Sequence, residues 1–236
     1  MARRSLASQV AEAMLDEIVR GDVAAGEPLP TEAELCATHQ VSRLTLREAL
    51  KVLQSQGVVR ALPGVGSYVN PISRWTGLEA VLRATSAGAG AGSTSLQLIE
   101  VRQMIETGAA GLAAIRHTPG DLAALEESLA QMRTAHSEAD LAGFVRADIA
   151  FHDGVLRASG NVFVPVLLDP LSRILREKRE QTSAIPQIQA NAVTAHAAVL
   201  DGVRSGDPQR ARAAMESHMA QTAQDLRRYV LSAEQF

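Results

Sequence analysis

The stretch "PTEAELCATHQVSRLTLREALKVLQSQGVVRALPGVGSYVN", residues 30–70, changes its hydrophobic period part-way along. Up to Gly57 the apolar residues recur at helical spacing; beyond it they alternate as in a strand. Such a segment has to pack short helices and a hairpin on one core. Thr31 and Glu34 have capping-box spacing and Leu35 can staple the entry, which predicts a helix over roughly Glu32 to His39. Ser42 restarts the helix as an N-cap, Val41 and Leu46 form its staple, and Gly57 stops it. Upstream, Leu6, Val10, Met14 and Ile18 form a helical stripe that Gly21 can end, and "GEPLP" imposes an extended connection.

Two short helices with a tight turn and a longer third one describe a helix-turn-helix. At about 100° per residue, Leu46, Ala49, Leu50 and Leu53 share the inward side of the third helix. Arg43, Arg47 and Lys51 fall opposite, with Leu44 beside them. The chain carries a net charge of −3, and residues 1–70 hold seven basic against eight acidic side chains. Nucleic-acid binding must therefore rest on placement rather than on total charge. Residues 41–60 supply that placement, with four basic side chains against one acidic. Arg can bond guanine O6 and N7 in pairs, and an apolar side chain can meet a thymine methyl in the major groove. A merely solvated helix face is the plain alternative. The hairpin that follows, turning through Pro63-Gly64-Val65-Gly66, favours the DNA-facing one because it has the order of a wing.

Residues 29–69 resemble the winged helix of GntR-family transcriptional regulators, whose pattern is close to LPSERELA…GVSRTTVREALRRLE.EGLV..RPGRGTFV. The match runs over about forty residues without gaps. The resemblance implies that Arg43 and Arg47 read bases, that Thr45 and its neighbours hold phosphate, and that Gly66 lets the wing tip enter the minor groove. The DNA-binding set so implied is Thr31, Arg43, Leu44, Thr45, Arg47, Lys51 and Gly66. The chain departs from the pattern at Ala33, where the family often has Arg, and at Val65, where the wing tip is usually basic. Both changes remove phosphate contacts and leave specificity more dependent on Arg43 and Arg47.

At 236 residues the chain has room for two domains, and its 46% hydrophobic content with only 3% aromatics favours packed helices. The N-terminus is basic for two residues and then amphipathic, unlike a signal peptide. No apolar run approaches the length that spans a bilayer. The single Cys36 precludes an intramolecular disulfide framework, reads as a small core residue, and fits a cytoplasmic location.

The expected fold is mainly α: a winged helix-turn-helix over residues 1–70, a linker over 71–94, and an all-α helical bundle over 95–236. Ser86 to Ser95, nearly all Ala, Gly, Ser and Thr, reads as a flexible connector, and Trp75 as packing at a domain or subunit junction. Helices are expected at roughly 95–117, 119–136, 138–159, 161–183, 187–205 and 207–232. Asp148 and His152, four apart, share a helix face, while His196 and His218 lie on the fifth and sixth helices of the bundle. One carboxylate and three imidazoles can enclose a divalent cation, zinc first and nickel or manganese as alternatives. Arg102 sits in an otherwise apolar face; a buried guanidinium needs an anion, either an effector carboxylate or a structural partner such as Glu100 or Glu106.

"VRQMIETGAAGLAA", "ADIAFHDGVLRASGN" and "AHAAVLDGVRSGDPQRARAAMESHM" resemble the FadR-type C-terminal domain found behind this winged helix. In its metal-binding members the positions matching Asp148, His152, His196 and His218 are the ligands. Ala195 stands where the family commonly has Glu, and His39, His117 and His136 fall outside the motifs, as surface residues. The resemblance implies a dimeric regulator, a repressor, on operator DNA that answers to a small carboxylate effector; the Trp75 region and "EVRQMIE" point to sugar acids. Two other functions stay open on the residues alone. A metal-dependent hydrolase or oxygenase could use such a bundle, although no general base stands beside the ligands. A metal sensor would use the same ligands with the cation itself as the signal.

Overall fold

A computed structural model describes residues 5–86 and 91–231. The chain divides into two compact units, Met1–Thr94 and Ser95–Phe236. In the first, α1 (Leu6–Arg20), α2 (Glu32–His39) and α3 (Arg43–Ser55) are followed by strands β1 (Val59–Leu62) and β2 (Gly66–Val69). Thr31 and Glu34 close the capping box of α2, and Ser42 accepts from the Thr45 amide to start α3. The strands are antiparallel, with Val59 opposite Val69 and Leu62 opposite Gly66. The chain before α2 adds to this edge, the Leu29 amide donating to Ser67 O at 2.8 Å.

Met14, Leu46, Ala49, Leu53, Val58 and Val69 form the core beneath the hairpin. On α1 the buried stripe begins one turn later than its spacing suggests: Val10, Ala11, Met14, Leu15 and Ile18 are inside, and Leu6 is exposed. Cys36 is partly buried against the same core. Trp75 also packs there, its Nε1 donating to Asn70 O at 2.9 Å, so it fastens the segment leaving the wing to the winged helix itself.

The linker region is more ordered than its composition suggests. Helix α4 (Leu78–Thr85) buries Ala80 in the first core, and Arg83 Nη1 bonds Asp16 Oδ1 at 2.9 Å. Residues 87–90 of the expected connector lie outside the described residues, and from Ala91 onward the chain is already helical. Alanine is the strongest helix former, so a growing helix overrides the apparent flexibility of an Ala-Gly-Ser run.

The second unit contains α5 (Ala91–Arg116) from Ser95 on, α6 (Pro119–Ser137), α7 (Leu141–Ala158), α8 (Phe163–Leu168), α9 (Ser172–Ser183), α10 (Pro186–Arg204) and α11 (Pro208–Asp225). Pro119, Pro186 and Pro208 all occupy the first helical turn, where a missing N–H costs nothing. The expected helix over 161–183 is instead split into α8, a 3-10 turn at Asp169–Leu171, and α9. Pro170 lies in the break and has no backbone N–H to donate to a helical ladder.

Helix α6 packs along α7, and α10 along α11. Leu125, Phe151, Val199 and Met215 are wholly buried between them, each contributing about 1.5–3 kcal/mol. A Cβ on Gly202 would stand 2.8 Å from Ala211 Cα, so α10 and α11 meet backbone to backbone. That close approach sets His196 and His218 with ring centroids 4.4 Å apart. Among the described residues, no helix is long and apolar enough to cross a membrane.

Candidate functional site

Helix α7 carries Asp148 and His152 on its buried face, α10 carries His196 and α11 carries His218. All four side chains are buried. His196 Nε2 lies 3.1 Å from Asp148 Oδ1, His152 Nε2 lies 3.7 Å from the same oxygen, and His218 Nε2 lies 3.3 Å from His152 Nε2. Donors about 2.0–2.1 Å from one zinc ion at tetrahedral angles stand roughly 3.4 Å apart, so these separations suit a common cation.

The hydrogen bonds behind the rings support the same donor set. His196 Nδ1 is 2.7 Å from Ala192 O, which only accepts, so that nitrogen carries the proton and Nε2 keeps its lone pair. His196 Nε2 has no hydrogen-bond partner: its 3.1 Å approach to Asp148 lacks the alignment of one. His152 Nδ1 donates to Glu106 Oε2 at 2.5 Å, which likewise directs Nε2 inward. Burial drives the His152 imidazole down to about 4 against the pull of Glu106, and the Arg102 and Arg179 charges reinforce the shift. Burial also pushes His218 well below its ordinary value, with His196 and His152 acting in the same sense. Neutral imidazoles are the form that ligates a metal.

Two guanidiniums border this cluster. Arg102 is buried, donates from Nε to Glu106 Oε1 at 2.7 Å, and places Nη2 3.1 Å from His152 Nε2. Glu106 is thus the carboxylate beside Arg102, while Glu100 is exposed. Burial pushes the Glu106 carboxyl up, but Arg102 and His152 outweigh it and hold the group well below the usual range. Arg179 on α9 pairs with Asp148. Burial raises the Asp148 carboxyl, yet the Arg179 charge keeps it well below its ordinary value. Arg179 is the residue that sequence reasoning missed. It lies in "REKREQTS", where every neighbour is polar and no periodicity separates an inward arginine from solvated ones.

A cavity of about 50 Å³ opens on the cluster, lined by Arg102, Asp148, His152, Arg179 and His218 and also by Gln221, Thr222 and Asp225, which follow His218 along α11. The histidines outside the cluster are not simply on the surface: His39, His117 and His136 are all partly buried. His117 Nδ1 donates to Ala113 O and His136 Nδ1 to Gln189 Oε1, so both rings have local structural partners.

In the first unit, Arg43, Leu44, Arg47 and Lys51 are all exposed along α3, with Leu44 72% accessible. Arg47 Nε bonds both Glu32 oxygens at 3.2 and 3.1 Å, and Lys51 bonds Glu48 at 2.9 Å. Thr45 is half-buried, its hydroxyl 2.9 Å from that of Ser42, and the Thr31 hydroxyl donates to Glu34 at 2.7 Å. Gly66 has φ 131°, a conformation that a side chain would resist at the wing.

Residues 6–69 match the model of the bacterial regulatory proteins of the gntR family, and residues 97–221 match the FCD domain. The chain is 30% identical to the galactonate operon transcriptional repressor of Escherichia coli over 217 residues, 89% of this chain and 92% of that one. It is 29% identical to the putative L-lactate dehydrogenase operon regulatory protein of the same organism, covering 96% and 88%. Lar, which controls expression of the Listeria monocytogenes agr system, has a solved structure similar in fold, with TM-score 0.62, 18% identity and coverage of 97% and 100%. These relatives are transcription regulators and not enzymes. The chain belongs to the GntR family of bacterial transcriptional regulators, with a winged helix-turn-helix followed by an FCD domain.

Proposed function

We propose that this regulator binds a pseudo-palindromic operator as a homodimer, and that a small organic acid held at a divalent metal in the helical domain controls its affinity. The clustering of His152, His196 and His218 with Asp148 against them, beside the buried Arg102 and the partly buried Arg179, carries the proposal. A bound cation would supply a Lewis-acidic pole for a carboxylate oxygen. Arg102 and Arg179 supply donors around the same space, and the planar fork of Arg suits a carboxylate. The named relatives of galactonate and L-lactate dehydrogenase operons support an acid effector, sugar acids included. On DNA, Arg43 and Arg47 read base edges, Thr31, Thr45 and Lys51 meet phosphate, Leu44 meets a thymine methyl, and Gly66 admits the wing to the minor groove.

The test begins with an operator selected from random duplexes by the protein itself. Its affinity is then measured for metal-free, zinc-loaded, and zinc-plus-acid protein. A change that needs both zinc and acid is expected. A response to zinc alone would make the protein a metal sensor, and no response to either would overturn the proposal.

A further inference from the structure

Asp225 is a buried carboxylate that the metal cluster does not use, and it lines the same cavity. It stands seven residues beyond His218 on α11, about 10 Å along the helix axis. Its donors are neutral amides. Asn191 Nδ2 reaches Oδ1 and Oδ2 at 3.1 Å each, and Gln221 Nε2 reaches Oδ1 at 2.9 Å. A carboxylate offers about four acceptor positions, so Oδ2 retains one after these bonds. The lining of the cavity therefore carries unlike groups: Arg102, Arg179 and the imidazole cluster around His218, and, two helical turns further along α11, an anion with a lone pair to give.

We infer that Asp225 reads a hydroxyl at the far end of the effector and rejects a second carboxylate there, so the ligand is a short hydroxy monocarboxylate rather than a diacid. The inference rests on the acid-binding site proposed above. An acid bound by its carboxylate among the cationic groups points its other end toward Asp225. A hydroxyl there donates to Oδ2. A methyl leaves the buried acceptor unanswered, and a carboxylate places two anions together away from water. The volume of about 50 Å³ accommodates roughly four waters, which suits a short acid.

Three four-carbon acids isolate the effect because they differ only at that end: 4-hydroxybutanoate, butanoate and succinate. Each is titrated calorimetrically into full-length zinc-loaded protein and into its Asp225→Asn variant. The hydroxy acid should bind the parent at least about tenfold more tightly than either other acid. Asp225→Asn should narrow that gap and strengthen succinate, since an amide no longer repels it. Equal affinity for all three acids in the parent would overturn the inference while leaving the acid site standing. Failure of every acid to bind would overturn both. Should the variant melt early, the ranking in the parent protein decides alone.

Discussion

Arg179 closes its guanidinium on Asp148, so the acidic member of the ligand set already faces a cation of the protein's own. The pairing keeps Asp148 ionised despite its burial. It also ties α9, the least apolar helix of the second unit, to the face of α7 that bears His152. At the site proposed above, an acid that drew Arg179 toward itself would free the Asp148 oxygens for a cation and so couple the two ligands through one side chain.

Removing a ligand should remove the metal. His152→Ala, His196→Ala and His218→Ala should each lose bound zinc, because three donors hold a first-row cation far less well than four. Asp148→Asn should retain more, since the three imidazoles remain. Replacing His117 or His136, whose Nδ1 atoms are bonded elsewhere, should leave the metal in place. Elemental analysis after dialysis measures this; parental zinc content in all three His variants would falsify the site.

Glu106 neutralises Arg102 and orients His152 in the same buried space. Glu106→Ala should therefore cost about 3–5 kcal/mol, the range for leaving a buried charge without its partner. Glu100→Ala, at an exposed position of the same helix, should stay within about 0.5 kcal/mol of the parent. Denaturant titration of both variants compares them, and equal losses would show that Arg102 has another sufficient partner.

Stability of the metal-free protein should fall with acid in a defined window. His152 has an ordinary value of 6.5 and is lowered to about 4 in the fold, so the unfolded chain binds the proton first. Its contribution is complete above about pH 6.5 and is lost as pH falls toward 4; the full shift corresponds to about 3 kcal/mol. The depressed carboxyls of Glu106 and Asp148 act in the same direction at lower pH. Unfolding free energies of chelator-treated protein at pH 7, 5.5 and 4.5 test the slope, and a flat profile contradicts it.

On the DNA side, Arg43→Ala and Arg47→Ala should each weaken operator binding by about 1–3 kcal/mol and relax base preference at one position. Both side chains are exposed on α3, so melting temperature should hardly move. Anisotropy titrations against the selected operator and single-base variants provide the measurement. Parental affinity in either variant would remove that arginine from the reading face.

The winged helix was legible because each of its boundaries has a local chemical cause. Thr31, Ser42 and Gly57 act within a few residues of where they stand, and the structure places α2 over Glu32–His39 as the capping pattern predicts. The helical domain was legible in outline, and its four metal-ligand candidates do meet. What stayed hidden depends on tertiary neighbours. Arg179 and Asp225 carry no local mark of facing inward, and the start of α5 at Ala91 reverses what its Gly-Ser composition suggests. The break at Pro170 divides the helix expected over 161–183, and apolar spacing alone does not mark it.

The pair between Arg47 and Glu32 has a consequence for how the protein travels. Away from its operator, a regulator is surrounded by a vast excess of other sequences, all with the same phosphate charge. A recognition arginine already answered by a glutamate gains little from exchanging that partner for an arbitrary phosphate. It gains more where a guanine presents O6 and N7 together. If Arg47 reads bases as proposed above, the glutamate would disfavour idle contacts more than correct ones, shortening each stop along the genome without blunting the final one.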